Sequence, residues 1–172
     1  MTRGGFDPTR CDRPDRRRVL AGVGTVAAVA LAGCNAVGGD DSPTYESGEV
    51  GPIDGDDRTP EETAAAAALA ETELNESVTP LDSLAIDDHG FVLEQDFRGP
   101  TVQGTVENAG DDRVQLVEVR VRTYDETGDQ LGRYLDTTGD LDGGASWAFE
   151  VILLESIDDL EGYDVTVLGT PT

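Results

Sequence analysis

The chain has 172 residues, 36 acids against 12 bases and a formal net charge of −24, and all 12 bases are arginine. So few cations leave no basic patch to neutralise phosphates, which excludes nucleic-acid binding of the usual electrostatic kind. One histidine and two cysteines are too few for a structural zinc site or a disulfide framework.

Six of the arginines lie in the first 18 residues, against only Asp7, Asp12 and Asp15. An apolar run follows, Val19 to Ala32, with Leu20, Val23, Val26, Val29 and Leu31 set among alanines and glycines. As a helix it would span about 21 Å, short of the roughly 30 Å hydrocarbon core of a bilayer. A basic start, a short apolar stretch and a small-residue exit are the parts of a signal peptide, residues 1–33. Asp15-Arg16-Arg17-Arg18-Val19-Leu20 resembles the twin-arginine export signal, Arg16 and Arg17 being the pair. Asp15 stands for the usual Ser or Thr, and Val19 for the usual Phe. Leu31-Ala32-Gly33-Cys34 matches a lipobox, in which small residues fit a peptidase cleft and the Cys34 thiol accepts lipid. The competing reading is a buried apolar helix in which Cys34 is an ordinary buried thiol. Cys11 falls in the removed segment, so the mature chain has one thiol, committed to the anchor.

Removing residues 1–33 leaves 33 acids and six arginines, a net −27 on 139 residues. In dilute buffer such a surface repels itself and opposes compaction. At molar salt the Debye length falls to about 3 Å and the repulsion is screened. Acid excess without lysine resembles the proteins of extremely halophilic archaea; a calcium-binding surface and an ordinary acidic protein are the alternatives.

Residues 34–80 read as an acidic flexible tether. From Asn35 to Pro80 there are twelve acids, one base (Arg58) and only six Val, Ile, Leu or Phe. That composition buries too little to offset ordering entropy, and a flexible chain of this length spans roughly 35–40 Å. One helix is expected at 60–75: Thr59 as N-cap, Pro60 at the first helical position, Glu62 closing a capping box, then an alanine run. Its Leu69 and Leu74 make too thin a stripe to dock firmly, so it reads as a stalk. Asn75-Glu76-Ser77 is a glycosylation sequon, a triplet that also arises by chance.

The composition changes at Leu81. Of the 92 residues from Leu81 to Thr172, 27 are Val, Ile, Leu or Phe. Val117, Val119 and Val121 alternate with Glu118, Arg120 and Arg122, the period of a half-buried strand. Trp147-Ala148-Phe149-Glu150-Val151 alternates in the same way. Turn signals at 108–111, 126–129, 138–140 and 143–144 separate the runs. Seven strands are expected, near 83–87, 90–96, 101–108, 114–124, 130–137, 145–153 and 163–169, with a helical turn from Ser156 to Leu160. Residues 81–172 therefore predict an all-β, immunoglobulin-like two-sheet sandwich.

These residues resemble the FxLYD domain, an extracytoplasmic module often carried on lipoproteins of bacteria and archaea. The signature position is Val121-Arg122-Thr123-Tyr124-Asp125, where Tyr124 and Asp125 match while Val121 stands for Phe and Thr123 for Leu. Val102-Gln103-Gly104-Thr105-Val106-Glu107-Asn108 is similar to the strand leading into an Asn-containing turn. Gly128 and Leu131-Gly132 follow in a hairpin, and Leu141-Asp142-Gly143-Gly144 with Phe149 is similar to the family's Leu-x-Pro-Gly turn and strand. The likeness spans about residues 84–169 and implies a surface β-sandwich without established catalysis. Apart from it, Asp125 is expected to open a hairpin turn with Gly128 left-handed, and Tyr124 to send its hydroxyl to the backbone.

His89, after Asp87-Asp88, reads as a solvated turn residue, since no serine or cysteine nucleophile pairs with it. Asp136, Asp140 and Asp142 read as a solvated acidic turn, lacking the ligand spacing of a calcium loop. Trp147 reads as core. The sequence points to a membrane-anchored surface lipoprotein, without catalysis, metal or cofactor. It would be bound to the membrane through lipid on Cys34 and would meet a protein partner at the cell surface. The alternative is a solute-capturing lipoprotein serving a transporter.

Overall fold

The computed structural model describes residues 42–170. Arg16, Arg17 and the Leu31, Ala32, Gly33, Cys34 motif lie outside the described residues. Seven strands form two antiparallel sheets packed as an open sandwich. In chain order they are β1 (Glu46–Glu49), β2 (Leu84–Leu93), β3 (Pro100–Asn108), β4 (Val114–Tyr124), β5 (Gln130–Leu141), β6 (Ser146–Ile152) and β7 (Gly162–Thr170). One sheet has the order β1-β7-β4-β5 and the other β2-β3-β6. Among the described residues the one α-helix, α1, spans Pro60–Leu69, and a 3-10 turn covers Ile157–Asp159.

The core forms where the alternation said it would. Val117, Val119 and Val121 of β4 are fully buried beside Val165 of β7 in the same sheet, and face Val102 and Val106 of β3 and Phe149 and Val151 of β6. β-branched side chains stack well on a pleated surface, and valine dominates this interior. Trp147, expected in the core, is only half-buried: it tilts against Phe149 at 6.1 Å between ring centroids and packs on the rim of the core.

Two of the expected strands are one. The segments near 83–87 and 90–96 join as β2, with a bulge between Ile86 and Asp88 that takes up Asp87 as an extra residue. The acidic pair that looked like a turn is thus accommodated without ending the strand. The seventh strand comes from the stretch expected to be a tether. β1 pairs with β7, Glu46 opposite Val165 through Glu49 opposite Gly162. Its ladder bonds are backbone bonds, for which apolar side chains are not required. Gly48 lies opposite Tyr163, whose ring occupies the space a Cβ would need. The Thr166 hydroxyl donates to the Thr44 carbonyl at 2.6 Å and secures the chain just before β1.

Residues 50–80 of the expected tether are also laid on the sandwich. Thr59 and Glu62 make the full capping box, the Thr59 N–H donating to Glu62 Oε2 at 2.9 Å and the Glu62 N–H to Thr59 Oγ1 at 3.3 Å. The helix ends at Leu69 rather than near 75, because Glu71 leaves it to bridge Leu135 of β5. It docks through Ala66, fully buried, while Leu69 stays exposed. The helix is therefore not the undocked stalk expected: a methyl side chain allows a close approach that needs no leucine stripe.

Residues 71–79 then cross the outer face of the first sheet. They leave the β5 edge at Glu71 and reach β7 at Thr79, which exchanges both backbone hydrogen bonds with Gly169 at 3.0 and 2.9 Å. Between them lies β4, and its outward Glu118 and Arg120 hold the crossing segment. The Asn75 N–H donates to Glu118 Oε2 at 3.1 Å, and Arg120 Nη2 donates to the Asn75 carbonyl at 3.0 Å. Glu118 and Arg120 also pair with each other, with only 1% and 15% of their side chains exposed.

Candidate functional site

The signature residues sit at the far end of β4, with Arg122 and Tyr124 on the same outer face and Val121 and Thr123 turned inward. Arg122 lies directly opposite Asp164 of β7, the register that puts two side chains closest. Arg122 Nε donates to Asp164 Oδ1 at 2.8 Å, and Nη2 bonds Oδ2 in the bidentate manner. The other face of the guanidinium lies 3.6 Å from the centroid of the Tyr45 ring, a cation–π contact. Tyr124 donates its hydroxyl to Asp164 Oδ2 at 3.0 Å. The hydroxyl was expected to reach backbone; a carboxylate two registers away is the better acceptor and takes it. Partial burial, then this bond, raise the Tyr124 phenol above its ordinary value.

Asp125 does what its position foretold. Its Oδ1 accepts from the Thr127 N–H at 2.8 Å, the Thr127 hydroxyl at 2.7 Å and the Asp129 N–H at 2.9 Å. The Thr127 hydroxyl and the Asp129 N–H hold the carboxyl below the usual carboxylate range. Gly128 takes the left-handed conformation, φ +83°, that closes the turn.

His89 is corrected. It lies within β2 with 15% of its side chain exposed, not in a solvated turn. Nδ1 is 2.8 Å from the Tyr163 hydroxyl, the two rings meet edge to face, and Nε2 faces Glu46 at 3.9 Å. The imidazole joins the two sheets. Asp136, Asp140 and Asp142 do not converge. Asp136 turns inward and accepts the Glu150 N–H of β6 at 2.8 Å, and its burial pushes the carboxyl up. Asp140 pairs with Arg113 at 2.8 Å. Among the described residues no group of three or more His, Cys, Asp or Glu is placed to hold a metal ion.

Two polar clusters were not foreseen. Asn108, fully buried, donates from Nδ2 toward the carbonyls of Asp112, Leu141 and Asp142 at 2.8, 3.1 and 3.2 Å, and its Oδ1 accepts the Gly110 N–H. One amide thus fastens two loops, the role an Asn-containing turn fills. At the opposite end of the core, Glu155 Oε1 accepts the hydroxyls of Thr123 and Tyr134 at 3.0 and 2.9 Å. Arg58 bonds the Leu153 carbonyl beside it, and burial lowers its basicity while Glu155 restores part of it. A single base in an otherwise acidic 46-residue stretch was the available signal for this plug.

No family model matches the chain. No solved structure matches it. The chain is 28% identical over 151 residues to an uncharacterised protein of Methanocaldococcus jannaschii, 87% of this chain and 90% of that one. A likeness of 151 residues cannot be contained in the 92 residues from Leu81 onward, so it includes part of the chain before the expected sandwich. Among the described residues no helix is long and apolar enough to cross a membrane.

Proposed function

We propose that the chain is a lipid-anchored lipoprotein of the cell surface that presents its sandwich as a non-catalytic interaction or scaffold module. The observation that carries this reading is Leu31-Ala32-Gly33-Cys34 at the exit of a short apolar run behind Arg16-Arg17. Eleven residues separate Cys34 from Glu46, where β1 starts. A peptide of that length reaches at most about 40 Å, so the module stands close to the bilayer rather than on a long stalk. The Tyr45–Arg122–Tyr124–Asp164 cluster supports the interaction part. Arginine and tyrosine are the residues that dominate protein interfaces, and here they are held in place before any partner arrives. The FxLYD likeness, resting on Tyr124, Asp125 and the Asn108 turn, points the same way. The residues with reactive side chains, His89, Asp136 and Glu155, are each engaged in holding the fold together.

The acid excess completes the picture as a protein of a salt-rich exterior. Five of the six arginines after residue 33 are bound to groups within the domain, Arg58 to a carbonyl and Arg98, Arg113, Arg120 and Arg122 to carboxylates. Most of the acids therefore face solvent without a counterion of the chain's own. Labelling of intact cells with a membrane-impermeant reagent tests the reading. The wild-type chain is labelled and sediments with membranes, while Cys34→Ser is released from them. A wild-type chain shielded from the reagent contradicts it.

A further inference from the structure

We propose that Asn75 is an N-glycosylation site, an inference that rests on the chain being exported. Its sequon, Asn75-Glu76-Ser77, lies on the segment crossing the outer face of the first sheet, where Glu76 and Ser77 are exposed. The geometry sorts the polar atoms of Asn75 into those with structural partners and the one without. The backbone N–H goes to Glu118 and the carbonyl to Arg120, both side chains anchored in β4. The carboxamide Oδ1 accepts the Ser77 N–H at 2.8 Å. Nδ2 has no hydrogen-bond partner among the described residues, yet it is not among the buried unpaired atoms. An amide nitrogen without a partner and without burial faces solvent, and it is the nucleophile of the modification. The Ser77 hydroxyl, which a transferase reads as the third sequon position, is likewise uncommitted.

A purely structural asparagine would need only Oδ1 to hold this turn, and aspartate would serve as well, as Asp125 does in its own turn. The fixed backbone adds a second advantage. Clamped by the Glu118–Arg120 pair, the acceptor is displayed in one conformation on the folded domain, so a sugar can be attached without unfolding the sheet. The substrate is an oligosaccharide on a polyprenyl phosphate or diphosphate. In the transfer, the bond from the anomeric carbon to the phosphate oxygen breaks and a bond from that carbon to Nδ2 forms. The lipid phosphate leaves with the electron pair, and the proton lost from Nδ2 passes to a base of the host's membrane transferase. No redox change is involved.

The test is peptide mapping by mass spectrometry of the full chain purified from envelopes of its native host. The same digest is read at Cys34 and at Asn75. The expected result is a lipid on Cys34 and a mass increment of sugar residues on the Asn75 peptide. That increment disappears both in Asn75→Gln and in Ser77→Ala, the second of which keeps the Ser77 N–H and hence the turn. A lipidated chain whose Asn75 peptide is unmodified overturns this inference and leaves the anchor standing. Sugar on Asn75 without lipid on Cys34 upholds it and removes the anchor. A chain carrying neither overturns both.

Discussion

The Glu118–Arg120 pair makes the sharpest prediction about how the segment before Leu81 is held. Arg120→Ala removes the counterion of a carboxylate that is 1% exposed and also the donor to the Asn75 carbonyl. Breaking a buried pair from one side costs about 3–5 kcal/mol, because the remaining charge is stranded. That is a large share of the 5–15 kcal/mol typical of a domain. Glu118→Gln should cost less, about 1–2 kcal/mol, since the amide oxygen still accepts the Asn75 N–H and Arg120, 15% exposed, can turn toward water. Urea denaturation in molar salt gives both numbers, and hydrogen exchange reports the Asn75 amide separately. Exchange there should accelerate in both variants, and the Arg120→Ala loss should change little with salt, because buried pairs are weakly screened. If Arg120→Ala costs under about 0.5 kcal/mol, the range of an ordinary surface change, and Asn75 stays protected, the crossing segment is held by something else.

Three further outcomes follow from the geometry. Asn108→Asp keeps the shape of the side chain but sets a carboxylate against three carbonyl oxygens, so it should destabilise by more than Asn108→Ala, itself about 2–4 kcal/mol; thermal melts of the two variants decide the order. Asp125 titrates below its unfolded value near 3.8, so the stability it adds is present above that pH and is lost as pH falls through its folded pKa. The stability gap between wild type and Asp125→Asn should therefore be widest above pH 4 and close on acidification; a gap that widens in acid refutes the assignment. With 33 acids against six arginines after residue 33, dialysis from molar to millimolar salt should unfold the domain cooperatively by circular dichroism, and a fold that persists in dilute buffer removes the halophilic reading.

What the sequence made legible was whatever burial pays for by alternation. β4 could be read to the residue because Val117, Val119 and Val121 must face the core while Glu118, Arg120 and Arg122 cannot. The capping box of α1 was equally plain, since Thr59, Pro60 and Glu62 act within four residues. Structure supported by the backbone or by distant polar groups was not. β1 joins its sheet through ladder bonds and a ring over Gly48, neither of which leaves an apolar run behind. Asp87-Asp88-His89 looked like a turn because hydropathy cannot reveal that a bulge will absorb one residue and that Tyr163 waits 74 positions downstream. In the signature, the turn made by Asp125 is local and was foreseen. The acceptor of Tyr124 was not, because Asp164 reaches it only once β7 is laid beside β4.

The same contrast applies to function: an address is written in consecutive residues, a binding face is not. The most direct measurement is therefore the chemical identity of the mature amino terminus. Sequencing the terminal peptide from the membrane fraction should find it beginning at Cys34, thioether-linked to lipid and lacking residues 1–33. A chain that retains Met1 and a free Cys34 thiol in the soluble fraction would contradict the account.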